Sequence, residues 1–315
     1  MRALLIVNPH ATSTTPLHRD VIASALASAV DIEVVQTRYR GHATSLACAA
    51  GARGFGLVLT LGGDGTVNEA INGIMSAAPL AGGTGDAAGR PVLAALPGGQ
   101  ANVFSRALGL PHDPVDAAGT ILRALRADRH RLIGLGLAGD RYFAFNAGLG
   151  LDAEVVRAVE GRRAHGRTLT PSLYLRTTLR QYYRVTDRRS PALRLEQDGI
   201  AGGEMLFVAI ISNTAPWTYL GKYAVQASPQ AGFDFGLDLF ALRALRTAST
   251  LRAVRQMLAS TGAPPRGGAV LSLHDQASIT LTASRPVAFQ VDGEYVGEQE
   301  QMTFRSVPRA LRVIG

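Results

Sequence analysis

A glycine-rich turn between an apolar strand and a helix is the feature that most constrains this sequence. Residues 57–61 form an apolar run typical of a buried strand, and Gly62-Gly63-Asp64-Gly65-Thr66 follows directly, before a helical pattern that begins near Val67. Glycines allow backbone N–H groups to approach phosphate oxygens closely, and the positive end of the helix dipole points at the same place. Because an aspartate cannot help to bind a bare anion, Asp64 implies a bound Mg²⁺ or a role in proton transfer. The turn therefore predicts phosphate binding with metal or acid–base chemistry; a tight turn with Asp64 as a helix cap is the alternative.

The first 135 residues alternate apolar strands with amphipathic helices, which predicts a parallel sheet covered by helices. The expected strands are 3–7, 32–36, 56–61 and 92–96, the expected helices are 17–29, 42–50, 66–75, 102–108 and 113–125, and 82–89 is expected to be a surface loop. After residue 135 the pattern is rich in strands, expected at 142–146, 193–197, 205–212, 237–242, 270–273, 279–282, 287–291, 302–305 and 311–314, with helices at 172–183 and 247–258.

We therefore predict two domains. The first, residues 1–135, is an α/β nucleotide-binding domain with a parallel sheet, and the second, residues 136–299, is β-rich and resembles a β-sandwich. Residues from about 300 to 315 are candidates to return to the first domain.

Composition and charge restrict the classes of function. The single cysteine, Cys48, excludes an intramolecular disulfide, and no run approaches the roughly 18 apolar residues that span a bilayer, so any membrane contact must be peripheral. The net charge is +8, and residues 157–189 carry nine arginines against two acidic residues. Arg176, Arg180 and Arg184 are spaced by four, which predicts a stripe on one helix face, either solvated or docked on anionic membrane. Nucleic-acid binding is not expected, because the arginines are not interleaved with the stacking aromatics of a known RNA motif.

A second glycine turn follows the next predicted strand. Residues 96–102 read Leu-Pro-Gly-Gly-Gln-Ala-Asn and open a helix, for which Asn102 is the expected N-cap. In open α/β sheets, ligands bind at the edge where the carboxyl ends of the strands meet. Two glycine turns at that edge indicate one shared nucleotide site, with Asn8-Pro9 and Thr37, which follow the first two strands, on the same edge. A simple chain connection is the alternative interpretation of the second turn taken alone.

The third element is the segment Asp292-Gly293-Glu294 near the end of the chain. Asp-Gly is a common pair in hairpin turns, so a purely structural turn is one interpretation. A carboxylate on a rigid turn is also well placed to accept a hydroxyl proton, which is the role of an aspartate in kinases.

Taken in order, these motifs resemble the catalytic-domain family of the bacterial diacylglycerol kinases, which is related to sphingosine and ceramide kinases and more distantly to NAD kinases. The segments that carry the resemblance are Asn8-Pro9, residues 62–69, 97–102 and 141–150, Asn213-Thr214 and residues 292–294, and they extend over nearly the whole chain. The resemblance implies an ATP-dependent lipid kinase, a phosphotransferase with an alcohol group as acceptor. Such an enzyme would transfer the γ-phosphoryl group to the hydroxyl of diacylglycerol or a similar lipid and give phosphatidic acid or an analogue.

The resemblance also implies roles for individual residues. Glu294 matches the general base, and Asp64 is expected near the catalytic Mg²⁺ and the phosphates. The residues expected to contact ATP are Asn8, Pro9, His10, Ala11, Thr12, Thr37, Gly62, Gly63, Asp64, Gly65, Thr66, Val67, Asn68, Glu69, Gly99, Gln100 and Asn102. The lipid is expected on the second domain. The protein is expected in the cytoplasm, peripherally associated with the inner face of the membrane, with a homodimer as a further expectation.

Two positions depart from the family pattern. Gln100 stands where a threonine hydroxyl usually contacts phosphate, and Phe235, within residues 233–238, stands where a carboxylate would be the expected ligand of a structural Mg²⁺. A structural metal is therefore not expected. The alternatives to a lipid kinase are a small-molecule kinase similar to NAD kinase and a catalytically silent module that binds nucleotide or lipid.

Overall fold

A computed structural model describes residues 1–77, 89–164, 171–196, 203–221, 223–259 and 261–315, and within them every side chain except those of 163, 164 and 171–175. Residues 82–88 of the predicted surface loop and residue 197 of the strand expected at 193–197 lie outside the described residues. The chain forms two compact units, one of residues 1–135 with 307–315 and one of residues 136–306.

The first unit is built on parallel strands. They are β1 (Arg2–Val7), β2 (Asp31–Gln36), β3 (Leu57–Gly62) and β4 (Val92–Pro97), paired in the order β2-β1-β3-β4. The helices are α1 (Pro16–Ala27), α2 (His42–Ala50), α3 (Asp64–Ser76), α4 (Val103–Ala107) and α5 (Pro114–Arg126). Nearly every residue of β1, β3 and β4 is buried, which is why these strands read as uninterrupted apolar runs.

Helices α1 and α5 begin at caps that the sequence encodes. The Thr15 hydroxyl accepts a hydrogen bond from the N–H three residues further on (3.1 Å), and the Asp113 carboxylate accepts two, at 2.8 and 3.0 Å, from the first turn of α5. A proline is the first residue of each helix, where its missing N–H has no intrahelical partner to lose. The loop after β1, which carries Asn8 and Pro9, therefore ends at the N-cap residue Thr15.

The second unit combines antiparallel strands with helices. The strands are β5 (Arg131–Ala138), which begins in the first unit, β6 (Arg141–Phe143), β7 (Asn146–Gly150), β8 (Leu193–Glu196), β9 (Glu204–Leu206), β10 (Val208–Ser212), β11 (Thr218–Leu220), β12 (Tyr223–Val225), β13 (Leu237–Leu242), β14 (Val270–Gln276), β15 (Ser278–Val291) and β16 (Glu294–Ile314). The helices are α6 (Leu151–Ala164), α7 (Pro171–Arg180), which continues into a π-helical turn (Gln181–Val185), and α8 (Thr247–Leu258). The main run of antiparallel strands is β16-β15-β7-β10-β13-β14.

The predicted fold class is confirmed, since parallel strands in an α/β arrangement are combined with additional antiparallel strands. Some element bounds differ. The strands expected at 279–282 and 287–291 form the single strand β15, whose register with β16 shifts between these two stretches. The strands expected at 302–305 and 311–314 likewise belong to one strand, β16, whose last residues pair in parallel with β4.

The sequence analysis does not predict helix α6. Three of its buried residues are Val155, Val156 and Val159, and β-branched residues favour strands over helices when local preference alone is considered. Burial of this valine face overrides that preference, because packing contributes more to helix stability than intrinsic propensity does.

Gly73 is the point where α3 meets α2. A side chain there would overlap the backbone carbonyl oxygen of Thr44 and lie 2.8 Å from Ala47 Cβ. We therefore expect Gly73→Ala to lower the free energy of unfolding, measured by urea denaturation, by about 1–3 kcal/mol, as overpacking does in well-packed cores. Gly119→Ala in α5 is the matched control, since its nearest neighbour would be the tip of Arg123 at 3.7 Å. That change should raise stability by up to about 1 kcal/mol, and equal effects of the two changes would contradict the close approach of α2 and α3.

Candidate active site

Turns at the carboxyl ends of β1, β3 and β4 are hydrogen-bonded to one another. The Asn8 N–H donates to the Leu61 carbonyl (2.9 Å), and the Gly98 N–H donates to the Gly62 carbonyl (2.8 Å). The Gly98 carbonyl in turn accepts a hydrogen bond from the Ser13 N–H (2.8 Å). The two glycine turns predicted from the sequence are therefore adjacent, at the sheet edge where open α/β folds bind ligands.

The two turns touch at glycines. A Cβ on Gly99 would lie 2.6 Å from the Gly63 Cα, and a Cβ on Gly98 would lie 2.8 Å from the Gly62 nitrogen. Both distances are far shorter than van der Waals contact, so larger residues would separate the turns. Glycine is required here for the close approach of two backbones.

Helix α3 begins beside this contact and has no side-chain cap. Gly63 is its N-cap residue and has an extended backbone. Thr66, in the first turn, is buried and its hydroxyl accepts a hydrogen bond from the side-chain amide of Asn8 (3.1 Å). The first N–H groups of a helix lack intrahelical partners and carry its positive dipole end. An uncapped helix start next to a glycine turn is therefore suited to bind phosphate.

Asp64 links the two glycine turns. Although it is the first residue of α3, its carboxylate accepts hydrogen bonds from the N–H groups of Val103 and Phe104, the first two residues of α4, at 3.1 Å each. Burial raises the pKa of Asp64 above its ordinary value, while the N–H donors of Phe104 and Val103 oppose that rise because they favour the anion. Asp64 is thus a helix cap, but the helix is α4 and not its own.

Asn102 is the N-cap residue of α4, as predicted, but its side chain does not form the capping hydrogen bond. Its carboxamide instead forms a reciprocal pair with Gly99, in which Oδ1 accepts from the glycine N–H and Nδ2 donates to the glycine carbonyl, both at 2.8 Å. The left-handed φ of 48° is one that asparagine tolerates better than most residues. The capping bonds come from Asp64 because its two oxygens reach two successive N–H groups.

Several residues expected to contact ATP lie at the surface of this edge. The exposed ones are Pro9, His10, Thr12 and Gln100. Ala11 is half-buried, and its N–H closes a turn on the Asn8 carbonyl (3.2 Å). The Thr37 N–H donates to the carbonyl of Val7 (2.8 Å), so Thr37 follows β2 at the same edge of the sheet.

Other residues of this set have side chains with structural contacts. Val67 and Asn68 are buried in α3. The Glu69 carboxylate accepts hydrogen bonds from the N–H groups of Gly41 (2.8 Å) and Ala43 (3.1 Å) at the start of α2. Glu69 therefore caps a neighbouring helix, as Asp64 does.

In the second unit, residues 292–293 form the turn between β15 and β16, and Glu294 is the first residue of β16. Asp292 is buried, and its carboxylate accepts hydrogen bonds from three consecutive backbone N–H groups, those of residues 144–146, at 2.8–3.1 Å. Charge-assisted bonds of this kind are stronger than neutral ones. Asp292 therefore anchors the turn that carries Glu294.

Glu294 forms an ion pair with Arg141 of β6. Arg141 Nη2 donates to Glu294 Oε2 at 2.7 Å, and the two side chains are 25% and 20% exposed. The ion pair orients the carboxylate, and the partial exposure leaves it accessible to a ligand. A carboxylate held in this way can accept a proton from a hydroxyl group within hydrogen-bond reach.

The sequence analysis missed a buried polar group behind this turn. The Gln290 amide donates to Asn146 Oδ1 and Asp152 Oδ2, both at 2.8 Å, and Gln290 Oε1 accepts from the Gly293 N–H (2.9 Å). Burial raises the pKa of Asp152 to about 6, and the hydrogen bond from Gln290 opposes that rise. The one feature of the sequence connected with this group is Gly148. A Cβ there would overlap the Asp152 carboxylate, so the glycine leaves space for that side chain.

In the segment 233–238, the carboxylate of Asp238 is held by protein groups. Asp238 is buried, and its Oδ1 lies 2.7 Å from His274 Nδ1 and accepts the Asp275 N–H at 3.0 Å. The ring of Phe235 lies 5.6 Å from the His274 ring. Within the described ranges, no group of three or more histidine, cysteine, aspartate or glutamate side chains is arranged to hold a metal ion.

Asp152 makes stability depend on pH. Its pKa of about 6 in the folded protein exceeds the 3.8 of an ordinary aspartate, so the folded state binds this proton more tightly than the unfolded chain does. The contribution of Asp152 to the free energy of unfolding therefore falls as pH rises from about 4 to about 6 and stays low above that range. Relative to the native chain, Asp152→Asn should gain roughly 3 kcal/mol between about pH 4 and pH 8, measured by urea denaturation at each pH.

The control for this experiment is Asp116→Asn. Asp116 also lies in the first turn of a helix but is exposed. We expect its stability to follow that of the native chain across the same range. The raised pKa would be contradicted if the free energies of unfolding of Asp152→Asn and of the native chain differed by the same amount at every pH.

Comparison with known proteins shows similarity to diacylglycerol kinases. Residues 2–130 match the family model of the diacylglycerol kinase catalytic domain. The chain is 29% identical to the diacylglycerol kinase of Bacillus subtilis (strain 168) over 314 residues, which cover 94% of this chain and 90% of the relative. It is 27% identical to the diacylglycerol kinase of Staphylococcus haemolyticus (strain JCSC1435) over 304 residues, which cover 94% of this chain and 83% of the relative.

A solved structure shows the same fold. The crystal structure of a diacylglycerol kinase from Bacillus anthracis strain Sterne matches with a TM-score of 0.69 and 20% identity, and the match covers 99% of this chain and 96% of that one. The family resemblance predicted from the motifs is confirmed, and the similarity indicates a kinase that transfers a phosphoryl group to an alcohol. The chain is therefore related, at modest sequence identity, to the diacylglycerol kinase-like lipid kinases.

Proposed function

We propose that this protein is an ATP- and Mg²⁺-dependent lipid kinase that phosphorylates the hydroxyl of diacylglycerol or a similar lipid and gives phosphatidic acid or an analogue. The observation that carries the proposal is the contact of the two glycine turns beside the uncapped start of α3. Backbone N–H groups at such a place suit the several oxygens of a triphosphate. The similarity to diacylglycerol kinases over 94% of the chain supports the choice of acceptor.

Asp64 is the residue that would hold Mg²⁺ together with the nucleotide phosphates. Its two carboxylate oxygens accept backbone hydrogen bonds from the start of α4, and together they have about four acceptor sites, so capacity for a cation remains. Mg²⁺ in nucleotide sites is commonly bound by one or two carboxylates along with phosphate oxygens and waters, so a single aspartate fits this requirement. When bound, the ion offsets the negative charge of the phosphates.

Glu294 is the proposed general base. It would take the proton of the lipid hydroxyl while that oxygen forms a bond to the γ-phosphorus and the bond from the γ-phosphorus to the bridging oxygen of ADP breaks. Its ion pair with Arg141 and the anchor that Asp292 provides support this role, because both fix the carboxylate on a rigid turn.

The remaining parts of the proposal come from the family resemblance. They are a lipid site in the second domain, a cytoplasmic location with peripheral contact at the inner face of the membrane, and a homodimer. In the part of the chain that the structure describes, no helix is both long enough and apolar enough to cross a membrane.

The direct test is transfer of label from γ-labelled ATP with Mg²⁺ to a panel of acceptors: dispersed diacylglycerol, a sphingoid lipid and NAD. Labelled phosphatidic acid, identified by mass spectrometry, is the expected product. Label in NADP alone would support the kinase similar to NAD kinase. Binding of ATP without transfer to any acceptor would support the silent module and overturn the proposal.

Asp64→Asn should lower turnover by about two orders of magnitude or more, because an amide is a poor substitute for a carboxylate beside Mg²⁺ and phosphate. Asp113→Asn is the matched control, because Asp113 also caps a helix through two backbone hydrogen bonds but lies outside the glycine turns. Steady-state kinetics with circular dichroism as a folding check would compare them. Equal losses in the two variants would mean that Asp64 acts as a helix cap only.

Glu294→Gln should lower turnover roughly 10²-fold or more, since glutamine cannot accept the hydroxyl proton. Glu298→Gln is its matched control: Glu298 lies four residues further along β16 and forms an ion pair with Arg157 at 2.9 Å. The control should retain native turnover in the same assay. Native turnover in Glu294→Gln would exclude a role as general base.

A further inference from the structure

Helix α8 presents an apolar stripe to solvent. Leu251, Val254 and Leu258 are 68%, 42% and 41% exposed, and their spacing by three and four residues places them on one face of the helix. Ala253 and Met257, by contrast, are buried in the core of the second unit. Single exposed apolar residues are ordinary on protein surfaces, but three along one helix face form a patch that calls for a partner.

The stripe lies in a segment whose charges are all positive. Residues 239–274 contain five arginines and neither aspartate nor glutamate. Arg243 pairs with Glu204, whereas Arg252 and Arg255 are exposed and have no ion pair within the described residues. Arg255 follows Leu251 by four residues and Arg252 precedes Arg255 by three, so both arginines lie along one side of the stripe.

The π-helical turn after α7 adjoins the start of this region. The Tyr182 hydroxyl donates to the carbonyl of Leu245, just before α8, at 2.9 Å. Its neighbours Leu179 and Tyr183 are exposed, and Arg188 lies over the Tyr183 ring at 5.4 Å. The surface around the N-terminal end of α8 is therefore extended by further apolar and basic side chains.

We propose that α8 is the membrane-docking element of this protein and lies in the plane of an anionic bilayer surface. The stripe enters the acyl-chain boundary and the flanking arginines meet lipid phosphates, which is the arrangement of interfacial amphipathic helices. A second copy of the chain is a poorer partner, because a twofold contact through this face would bring the arginines of both copies together without acidic residues to offset them. The inference rests on the proposed lipid kinase function, since it places the enzyme at the surface that holds its acceptor.

The test uses the full chain and sedimentation with vesicles of phosphatidylcholine alone or mixed with phosphatidylglycerol. Leu251→Ser/Val254→Ser should weaken partitioning to the mixed vesicles about tenfold or more. Its control is Leu17→Ser/Val21→Ser on α1, where a leucine and a valine are exposed to nearly the same degree, 70% and 42%. The control should bind as the native chain does.

A second pair of variants tests the charge. Arg252→Gln/Arg255→Gln should weaken binding to mixed vesicles roughly tenfold at low salt, and high salt should remove the difference by screening. Arg123→Gln/Arg126→Gln on α5 has the same spacing of exposed arginines and should have no effect. Because these substitutions change no apolar contact, they keep the proposal testable if the serine variant folds poorly.

Activity separates this inference from the proposed function. The α8 variants should phosphorylate a monomeric short-chain diacylglycerol at the native rate and a vesicle-embedded one at a lower rate. A native chain that binds vesicles through α8 but phosphorylates no lipid would refute the kinase and leave the docking surface intact. Native vesicle binding by both α8 variants, or equal losses in their controls, would overturn the docking surface. The serine variant could instead convert a native dimer to a monomer, as measured by sedimentation velocity, and leave vesicle binding unchanged. That result would also overturn the docking surface.

Discussion

The geometry of the first unit depends on the bonds that the Asp64 carboxylate accepts from the N–H groups of Val103 and Phe104. Asp64 follows β3 and these N–H groups follow β4, so one side chain fixes the second glycine turn against the first. The contact of Gly63 with Gly99 and the direction of α4 both follow from that link. An apolar contact could bring the two turns together, but it would not set their orientation, because only hydrogen bonds are directional.

In the second unit, a buried carboxylate likewise accepts backbone hydrogen bonds, at the turn between β15 and β16. Asp292 accepts three backbone N–H bonds, and the side chain that the turn displays is Glu294 two residues later. In both units a carboxylate is satisfied by backbone donors, which offsets the desolvation that a buried charge would otherwise suffer. The anchoring carboxylate and the proposed reactive carboxylate are thus close in sequence but differ in partners: Asp292 accepts the backbone bonds, whereas Glu294 pairs with Arg141.

The sequence predicts best what is local. Buried parallel strands leave continuous apolar runs, glycine pairs mark their ends, and the helix expected at 247–258 has those bounds in the structure. The partners of Asp64 and Asp292, by contrast, lie 39 or more and 146 or more residues away, and no pattern along the chain records such pairings. For the same reason the N-cap position of Asn102 is predicted correctly, but the bonds of its side chain to Gly99 are not predicted. A typical N-cap residue at the start of α4 gives no sign that a distant carboxylate already occupies the capping position.

Capping of α4 and the proposed binding of Mg²⁺ by Asp64 are compatible, although both use the same carboxylate. Burial favours the neutral acid, and the backbone donors favour the anion. A cation beside the same oxygens would act in the same sense as those donors, so it would strengthen the form that the cap already needs. The helix bonds in turn keep the carboxylate from rotating, which lowers the entropy that binding must overcome. In the proposed site, an aspartate at this position would therefore gain as a ligand from being a cap, and the glycines on either side keep the two backbones closer than larger residues would allow.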